Sequence, residues 1–148
     1  LMGKGAKLVI LAHQSRKGKW DFTPLDQHAE RLSKHLNSPV KYVDDVMGED
    51  AQNAIKSLNA GEILLLGNVR AIDEETAKLD MIGHSKAEMV EKLAPLIDFY
   101  VCDAFGAAHR SQCSLVGFAP KVPSASGRSV NYGGGLQDSQ SLQLLLCK

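Results

Sequence analysis

The stretch Lys7-Leu-Val-Ile-Leu-Ala-His-Gln-Ser-Arg16 joins a continuous apolar run to a short polar and basic segment. An uninterrupted run of this kind is typical of a strand that is buried on both faces, as in a parallel sheet covered by helices. Three further runs have the same character and lie at residues 40–43, 62–66 and 98–102. The chain therefore has four candidate strands of a buried sheet.

Helical signals lie between these strands. Thr23 and Pro24 supply an N-cap and a first-turn proline, and apolar residues follow at spacings of three and four. A second helix is predicted over residues 51–58, and a third opens at Ser85-Lys-Ala-Glu88, which has the capping-box pattern. The alternation predicts an α/β fold with a parallel sheet and helices on both faces, that is, a Rossmann-like three-layer sandwich.

The C-terminal part of the sequence has a different composition. Residues 127–135 are rich in glycine and are predicted to form a loop, and residues 142–147 form a closing apolar run. A short apolar run is compatible with a helix or with a buried strand. We favour a helix that carries Leu142, Leu145 and Leu146 on one face. We divide the chain into one domain over residues 1–128 and a divergent tail over residues 129–148.

Composition limits the classes of partner. The chain has 148 residues and a formal net charge of zero, so it fits one domain without a general attraction to nucleic acid or to an anionic membrane. No apolar run approaches the ~18 residues of a membrane span. The three cysteines have neither metal-ligand spacing nor an even number. We expect a cytoplasmic protein without a nucleic-acid partner, a membrane partner or a metal site.

Basic side chains follow three of the predicted strands. The carboxyl ends of parallel strands meet at one edge of the sheet, and ligands of α/β folds bind there. Arginine and histidine donate hydrogen bonds to phosphate and carboxylate groups. The sequence therefore predicts an anion site, without a catalytic group, in which Asn68 orients the neighbouring loop. The candidate binding residues are His13, Arg16, Arg70, His109 and Arg110.

Five strings in this order resemble the N-terminal domain of phosphoglycerate kinase: LVILAHQSRKGK, VKYVDDVMGED, GEILLLGNVR, DFYVCDAFGAAHRSQCSLVGF and PSASG. The AHRSQ form is similar to archaeal members, and the likeness covers about residues 5–128. It implies a two-domain glycolytic transferase that bends at a hinge. Such a kinase transfers a phosphoryl group between 1,3-bisphosphoglycerate and ADP with magnesium.

The resemblance also implies roles for the candidate residues. The five basic side chains would contact the phosphate or the carboxylate of 3-phosphoglycerate, whereas Mg²⁺ and ATP or ADP would bind a C-terminal domain that has no counterpart here. We therefore expect weak substrate binding and no turnover by this chain alone. Gly67 and Ala71 stand where the family usually has Glu and an aromatic residue, so we expect a packing defect if position 71 is buried.

The family's opening segment carries a central strand and a further substrate-binding arginine, and this sequence has neither. Unpaired strand edges recruit partners. We expect the gap to be filled by the run at residues 142–147, by a second copy of the chain, or by a rearranged strand order. The alternative function is a folded fragment or engineered chimera that self-associates without binding a ligand. A third hypothesis is complementation by a separate C-terminal half.

Overall fold

The protein alternates strands and helices in a computed structural model that describes residues 1–131 and 142–147. The strands are β1 (Lys7–Ala12), β2 (Val40–Tyr42), β3 (Ile63–Leu65), β4 (Ile97–Asp103), β5 (Ser124–Ser126) and β6 (Leu142–Cys147). The α-helices are α1 (Asp26–Leu36), α2 (Glu49–Lys56), α3 (Met81–His84), α4 (Glu88–Leu93), α5 (Cys113–Val116) and α6 (Arg128–Asn131). Short 3₁₀ turns lie at Met2–Lys4, Val69–Ala71, Asp73–Thr76, Ala94–Leu96 and Phe105–Ala107.

The six strands form one sheet in the order β2-β3-β1-β6-β4-β5. β3 pairs in parallel with β2 and with β1, and β4 pairs in parallel with β5. β6 runs antiparallel to both of its neighbours, β1 and β4. The predicted α/β class is confirmed, but the sheet is mixed. β5 ends at the carboxyl edge and β6 begins there, so no crossover helix is needed to reach an antiparallel strand.

Strand β6 occupies the centre of the sheet, where the side chains of residues 144–147 alternate between the two faces. Leu145 pairs with Val9 of β1 and with Tyr100 of β4, and its side chain is fully buried. Leu144 and Leu146 pack against the core on the opposite face. The predicted helix for residues 142–147 is therefore wrong, because an apolar run at the centre of a sheet is buried on both sides.

This arrangement decides between the three ways of filling the expected gap. The C-terminal run lies between β1 and β4, so neither strand presents an unpaired edge towards the other. The open edges of the described sheet are those of β2 and β5, which are three residues long each. Self-association therefore is not needed to pair β1 or β4.

Helices cover both faces of the sheet, as predicted. On one face, Leu25 and Ala29 of the α1 region pack with Ile10 of β1. On the other face, Ile55 of α2 and Met89 of α4 belong to the larger core cluster. The apolar run of β1 supplies both layers, which explains why it lacks the alternation of a strand with one wet face.

The start of α4 is set by a contact from a distant segment. The Glu74 carboxylate accepts hydrogen bonds from the backbone N–H groups of Glu88, at 2.9 Å, and Met89, at 3.3 Å. The Ser85 hydroxyl donates instead to the carbonyl oxygen of Ile82. The predicted capping box is therefore wrong, since the orphan amides of the helix obtain their acceptor from elsewhere in the fold.

The sequence does not predict two short elements near residue 128. β5 contains Ser-Ala-Ser, whose exposed side chains give no hydrophobic pattern. α6 occupies Arg128–Asn131, so the predicted loop over residues 127–135 is wrong for that part. Gly133-Gly-Gly135 lies outside the described residues. The division of the chain at residue 128 stays a prediction.

Substitution of Leu145 tests the position of β6. Leu145→Ala is expected to lower the free energy of unfolding by about 3 kcal/mol, because it removes a large side chain from a packed interior. Urea denaturation monitored by circular dichroism measures this change. Leu79→Ala is the matched control, because Leu79 is 47% exposed, and it should cost no more than about 0.5 kcal/mol. Equal, small effects at the two positions would show that β6 is not a core strand.

Candidate anion-binding site

Three loops enclose a cationic cavity at the carboxyl edge of the sheet. They follow β1, β3 and β4, which share one direction. The cavity has a volume of 530 Å³, within the range of about 300–1,000 Å³ that is usual for small-molecule sites. Its lining consists of Arg16, Lys17, Arg70, Ile72, Asp73, Thr76, Arg110 and Gln112. Three of the five predicted binding residues, one from each loop, therefore line one cavity.

One acidic residue in the lining is paired at the solvent side. The Lys17 Nζ lies 3.3 Å from the Asp73 Oδ1, and both side chains are largely exposed. An exposed pair of this kind contributes about 0–1 kcal/mol to stability. Its main effect here is local neutralisation, which leaves Arg16, Arg70 and Arg110 as the positive charges that face the cavity.

The Asn68 amide ties the loop after β1 to the loop after β3. Its Oδ1 accepts hydrogen bonds from the backbone N–H groups of Gln14 and Arg70, both at 3.1 Å, and its Nδ2 donates to the Gln14 carbonyl oxygen at 2.7 Å. Asn68 is 4% exposed. The predicted orienting role of Asn68 is confirmed, and the three bonds fix the backbone from which Arg70 extends.

Arg70 is the least exposed of the three arginines. Desolvation lowers the pKa of its guanidinium, and the charges of Arg110 and Arg16 lower it further, whereas the Glu75 carboxylate raises it. Its Nε is buried, and no acceptor for it exists among residues 1–131 and 142–147. An anion in the cavity would supply that acceptor and offset the repulsion between the guanidinium groups.

Arg110 and His109 lie next to each other in the loop after β4. Both are exposed, and the Arg110 Nε donates a long hydrogen bond of 3.5 Å to the His109 Nε2. The Arg110 backbone N–H donates to the Ala107 carbonyl oxygen at 2.9 Å, which closes the turn. Arg110 lines the cavity, whereas His109 stands beside it and is not part of the lining.

His13 lies behind the cavity in a buried polar cluster. Its Nε2 is 2.5 Å from the Glu75 Oε1 and 3.2 Å from the Ser114 Oγ. The Ser114 hydroxyl and backbone N–H both donate to the Glu75 carboxylate, each at 2.8 Å. The structure therefore places four of the predicted binding residues at or beside the cavity and directs the His13 Nε2 into the protein.

Sequence reasoning missed Glu75 and Ser114. Glu75 lies in the run Asp73-Glu-Glu-Thr76, which has the composition of an exposed acidic turn, yet its side chain is fully buried. Ser114 lies in a small polar segment with no periodic signal. Their partners are 39 residues apart or more along the chain, so no local pattern identifies the cluster.

A second cavity, of 490 Å³, lies beside the first and is mainly apolar. Phe22, Pro24, Met47 and Ala71 contribute to its walls. The Asp45 carboxylate in its wall already accepts hydrogen bonds from three backbone N–H groups. Ala71 is exposed, so the packing defect expected for a buried position does not arise; Ala71 instead lines this cavity.

Two classes of site have no candidate in the described part of the chain. Among residues 1–131 and 142–147, no three His, Cys, Asp or Glu side chains are grouped so that they could hold a metal ion. The helices in the same residues are too short and too polar to cross a membrane. The cationic cavity is thus the site whose chemistry the structure defines most clearly.

The fold and the site define a class of protein: an α/β domain with an arginine-lined cavity at the carboxyl ends of its strands, where ligands of such folds bind. The family model "Phosphoglycerate kinase" matches residues 1–133. The chain therefore belongs to the phosphoglycerate kinase family.

Curated relatives support this assignment and show how much of the family's length is present. The phosphoglycerate kinases of Methanobacterium bryantii and Methanothermobacter thermautotrophicus are 58% and 56% identical to this chain over 125 and 128 residues. These alignments cover 84% and 86% of the chain and 31% of each relative. The similarity to archaeal members is confirmed, and the chain spans about a third of the length of these relatives.

Solved structures agree with the fold. A crystal structure of the phosphoglycerate kinase from Pyrococcus horikoshii OT3 matches with a TM-score of 0.87 and 38% identity, covering 94% of this chain and 36% of that one. The phosphoglycerate kinase of Coxiella burnetii matches with a TM-score of 0.67 and 28% identity, over 88% of this chain and 31% of that one.

A substitution that fills the apolar cavity tests whether its space is available to a side chain. Ala71→Phe should stabilise the protein by about 1 kcal/mol, because the ring can bury apolar surface against Phe22 and Met47 without losing a hydrogen bond. Thermal denaturation measures the change. Lys121→Phe, at an exposed position outside this cavity, controls for added hydrophobicity. A lower melting temperature for Ala71→Phe than for the control would show that the space is not available to a side chain.

Proposed function

We propose that this chain binds 3-phosphoglycerate in the cationic cavity, as the substrate-binding part of a phosphoglycerate kinase. One observation carries the proposal: three arginines from three separate loops line one cavity, and the buried Nε of Arg70 has no acceptor among the described residues. Membership of the family selects the ligand from among small anions of suitable size.

The chemistry of the ligand suits the cavity. 3-Phosphoglycerate carries a phosphate at one end and a carboxylate at the other, and guanidinium groups bind both kinds of anion through paired hydrogen bonds. Three guanidinium groups distributed around 530 Å³ can engage two separated anionic ends at once. His109, beside Arg110, supplies a further ring nitrogen at the rim.

The cavity accounts for how the glycerate substrate is positioned. The groups needed for phosphoryl transfer are assigned to another domain. In the proposed reaction, a phosphoryl group passes between 1,3-bisphosphoglycerate and ADP, and catalysis depends chiefly on alignment and charge stabilisation. We assign Mg²⁺ and ATP or ADP to the family's nucleotide domain, and we place the protein in the cytosol. The arginine-lined cavity then holds the glycerate substrate in register for an incoming nucleotide.

Isothermal titration calorimetry with 3-phosphoglycerate at low salt tests the proposal. We expect binding with a dissociation constant at or below about 1 mM, which corresponds to roughly −4 kcal/mol. Arg110→Ala should weaken it by about 10- to 100-fold, because one charge-assisted contact contributes about 1.5–3 kcal/mol. Added salt should weaken binding as well, since it screens exposed charges.

The control removes one positive charge away from the cavity. Lys121 is exposed and lies outside the lining, so Lys121→Ala should leave the affinity within about twofold of the unsubstituted chain, as expected for a screened distant charge. No heat at millimolar 3-phosphoglycerate from a folded sample would reject the proposed function. Equal losses for the two variants would reject the cavity as the binding site.

A further inference from the structure

Glu75 is a fully buried carboxylate directly behind the cationic cavity. Its Oε1 contacts the His13 Nε2 at 2.5 Å and accepts from the Ser114 hydroxyl at 2.8 Å, and its Oε2 accepts from the Ser114 backbone N–H at 2.8 Å. Burial of a carboxylate is costly unless hydrogen bonds and opposite charge replace water. Both carboxylate oxygens of Glu75 have hydrogen-bond partners, and two residues, His13 and Ser114, supply them. The buried polar cluster is therefore centred on the Glu75 side chain.

The partners of Glu75 come from the loops that carry the arginines. His13 precedes Arg16 by three residues, and Ser114 follows Arg110 by four residues. Glu75 itself follows Arg70 by five residues, and its charge acts on the Arg70 guanidinium. One buried carboxylate therefore connects all three loops close to the points at which their arginines enter the cavity.

The hydrogen-bond pattern also determines which nitrogen of His13 carries a hydrogen. The Glu75 carboxylate can only accept, and the hydrogen of the Ser114 hydroxyl is directed at Glu75. Both groups near the His13 Nε2 therefore present lone pairs to it. This arrangement requires a hydrogen on Nε2 and fixes the orientation of the ring.

We propose that Glu75 is a positioning residue for the anion site: by holding Nε2-protonated His13 and Ser114 together, it sets the spacing of Arg16, Arg70 and Arg110 around the ligand. The proposal rests on the proposed function for its ligand, 3-phosphoglycerate. The Glu75–His13–Ser114 contacts stand independently of that ligand.

Glu75→Gln separates positioning from simple charge. The substitution removes a negative charge near three arginines, so electrostatics alone would strengthen the binding of an anion. A glutamine cannot accept from His13 and twice from Ser114 in the same way, because one of its terminal groups donates. Positioning therefore predicts the opposite sign: at least a tenfold weaker affinity for 3-phosphoglycerate, measured by calorimetry on samples whose circular dichroism shows a folded state.

Two further variants complete the design. Ser114→Ala keeps the carboxylate and removes one donor, so a weaker affinity supports positioning even where Glu75→Gln does not fold. Glu91→Gln removes an exposed negative charge outside the cavity lining and should leave the affinity within about twofold, because solvent screens a distant charge. Unchanged or tighter binding by folded Glu75→Gln, or unchanged binding by Ser114→Ala where Glu75→Gln is unfolded, would overturn the proposal.

The tautomer of His13 gives a readout that does not depend on the ligand. Long-range ¹H–¹⁵N NMR of the histidine ring should show a hydrogen on Nε2 in the unsubstituted chain, and a changed ring spectrum in Glu75→Gln. If 3-phosphoglycerate does not bind the unsubstituted chain, the proposed function fails while this spectrum still tests the network. A hydrogen on Nδ1 alone would overturn the positioning role.

Discussion

The pairing of strand β6 with β1 and β4 is the interaction on which the rest of the structure depends, because β6 alone connects the two halves of the described sheet. On one side lie β1, β3 and β2, and on the other lie β4 and β5. The pairing of β6 with β1 and with β4 keeps those two strands two inter-strand spacings apart, or about 10 Å. Leu145 fills the core layer between them, so the same strand supplies both the hydrogen bonds and the packing at the junction.

The geometry of the arginine-lined cavity follows from that junction. Arg16 and Arg70 leave the β1 half of the sheet, whereas Arg110 leaves the β4 half, so β6 sets the distance across the cavity. At the loops, the Asn68 amide joins the two segments of the first half. The Glu75 carboxylate then joins His13 on one half to Ser114 on the other. Buried polar groups thus connect the two halves of the sheet at its carboxyl edge, and β6 connects them at the centre.

Part of this arrangement could be read from the sequence, for reasons that differ between elements. The β1 run predicts a buried strand because its apolar residues are continuous, and the basic residues after β1, β3 and β4 predict convergence because parallel strands share an edge. The conformation of residues 142–147 could not be predicted from the sequence, since a short leucine-rich run is compatible with a helix or a strand. Only the strands that it pairs with in the fold, β1 and β4, distinguish the two. Glu75 escaped notice for a related reason: burial of an acidic side chain depends on partners such as Ser114, which only the tertiary fold brings near.

Amide hydrogen exchange in β6 tests the account most directly. Under native conditions, the amides of Leu144, Leu145 and Leu146 should exchange as slowly as that of Val9 in β1, because a central strand is released only by global unfolding. The amide of Ser124 in the edge strand β5 provides the fast-exchanging comparison, because the parallel pairing with β4 turns its N–H away from that strand. Exchange of the β6 amides at the rate of Ser124, while Val9 remains protected, would contradict the central placement of β6 and the geometry of the site derived from it.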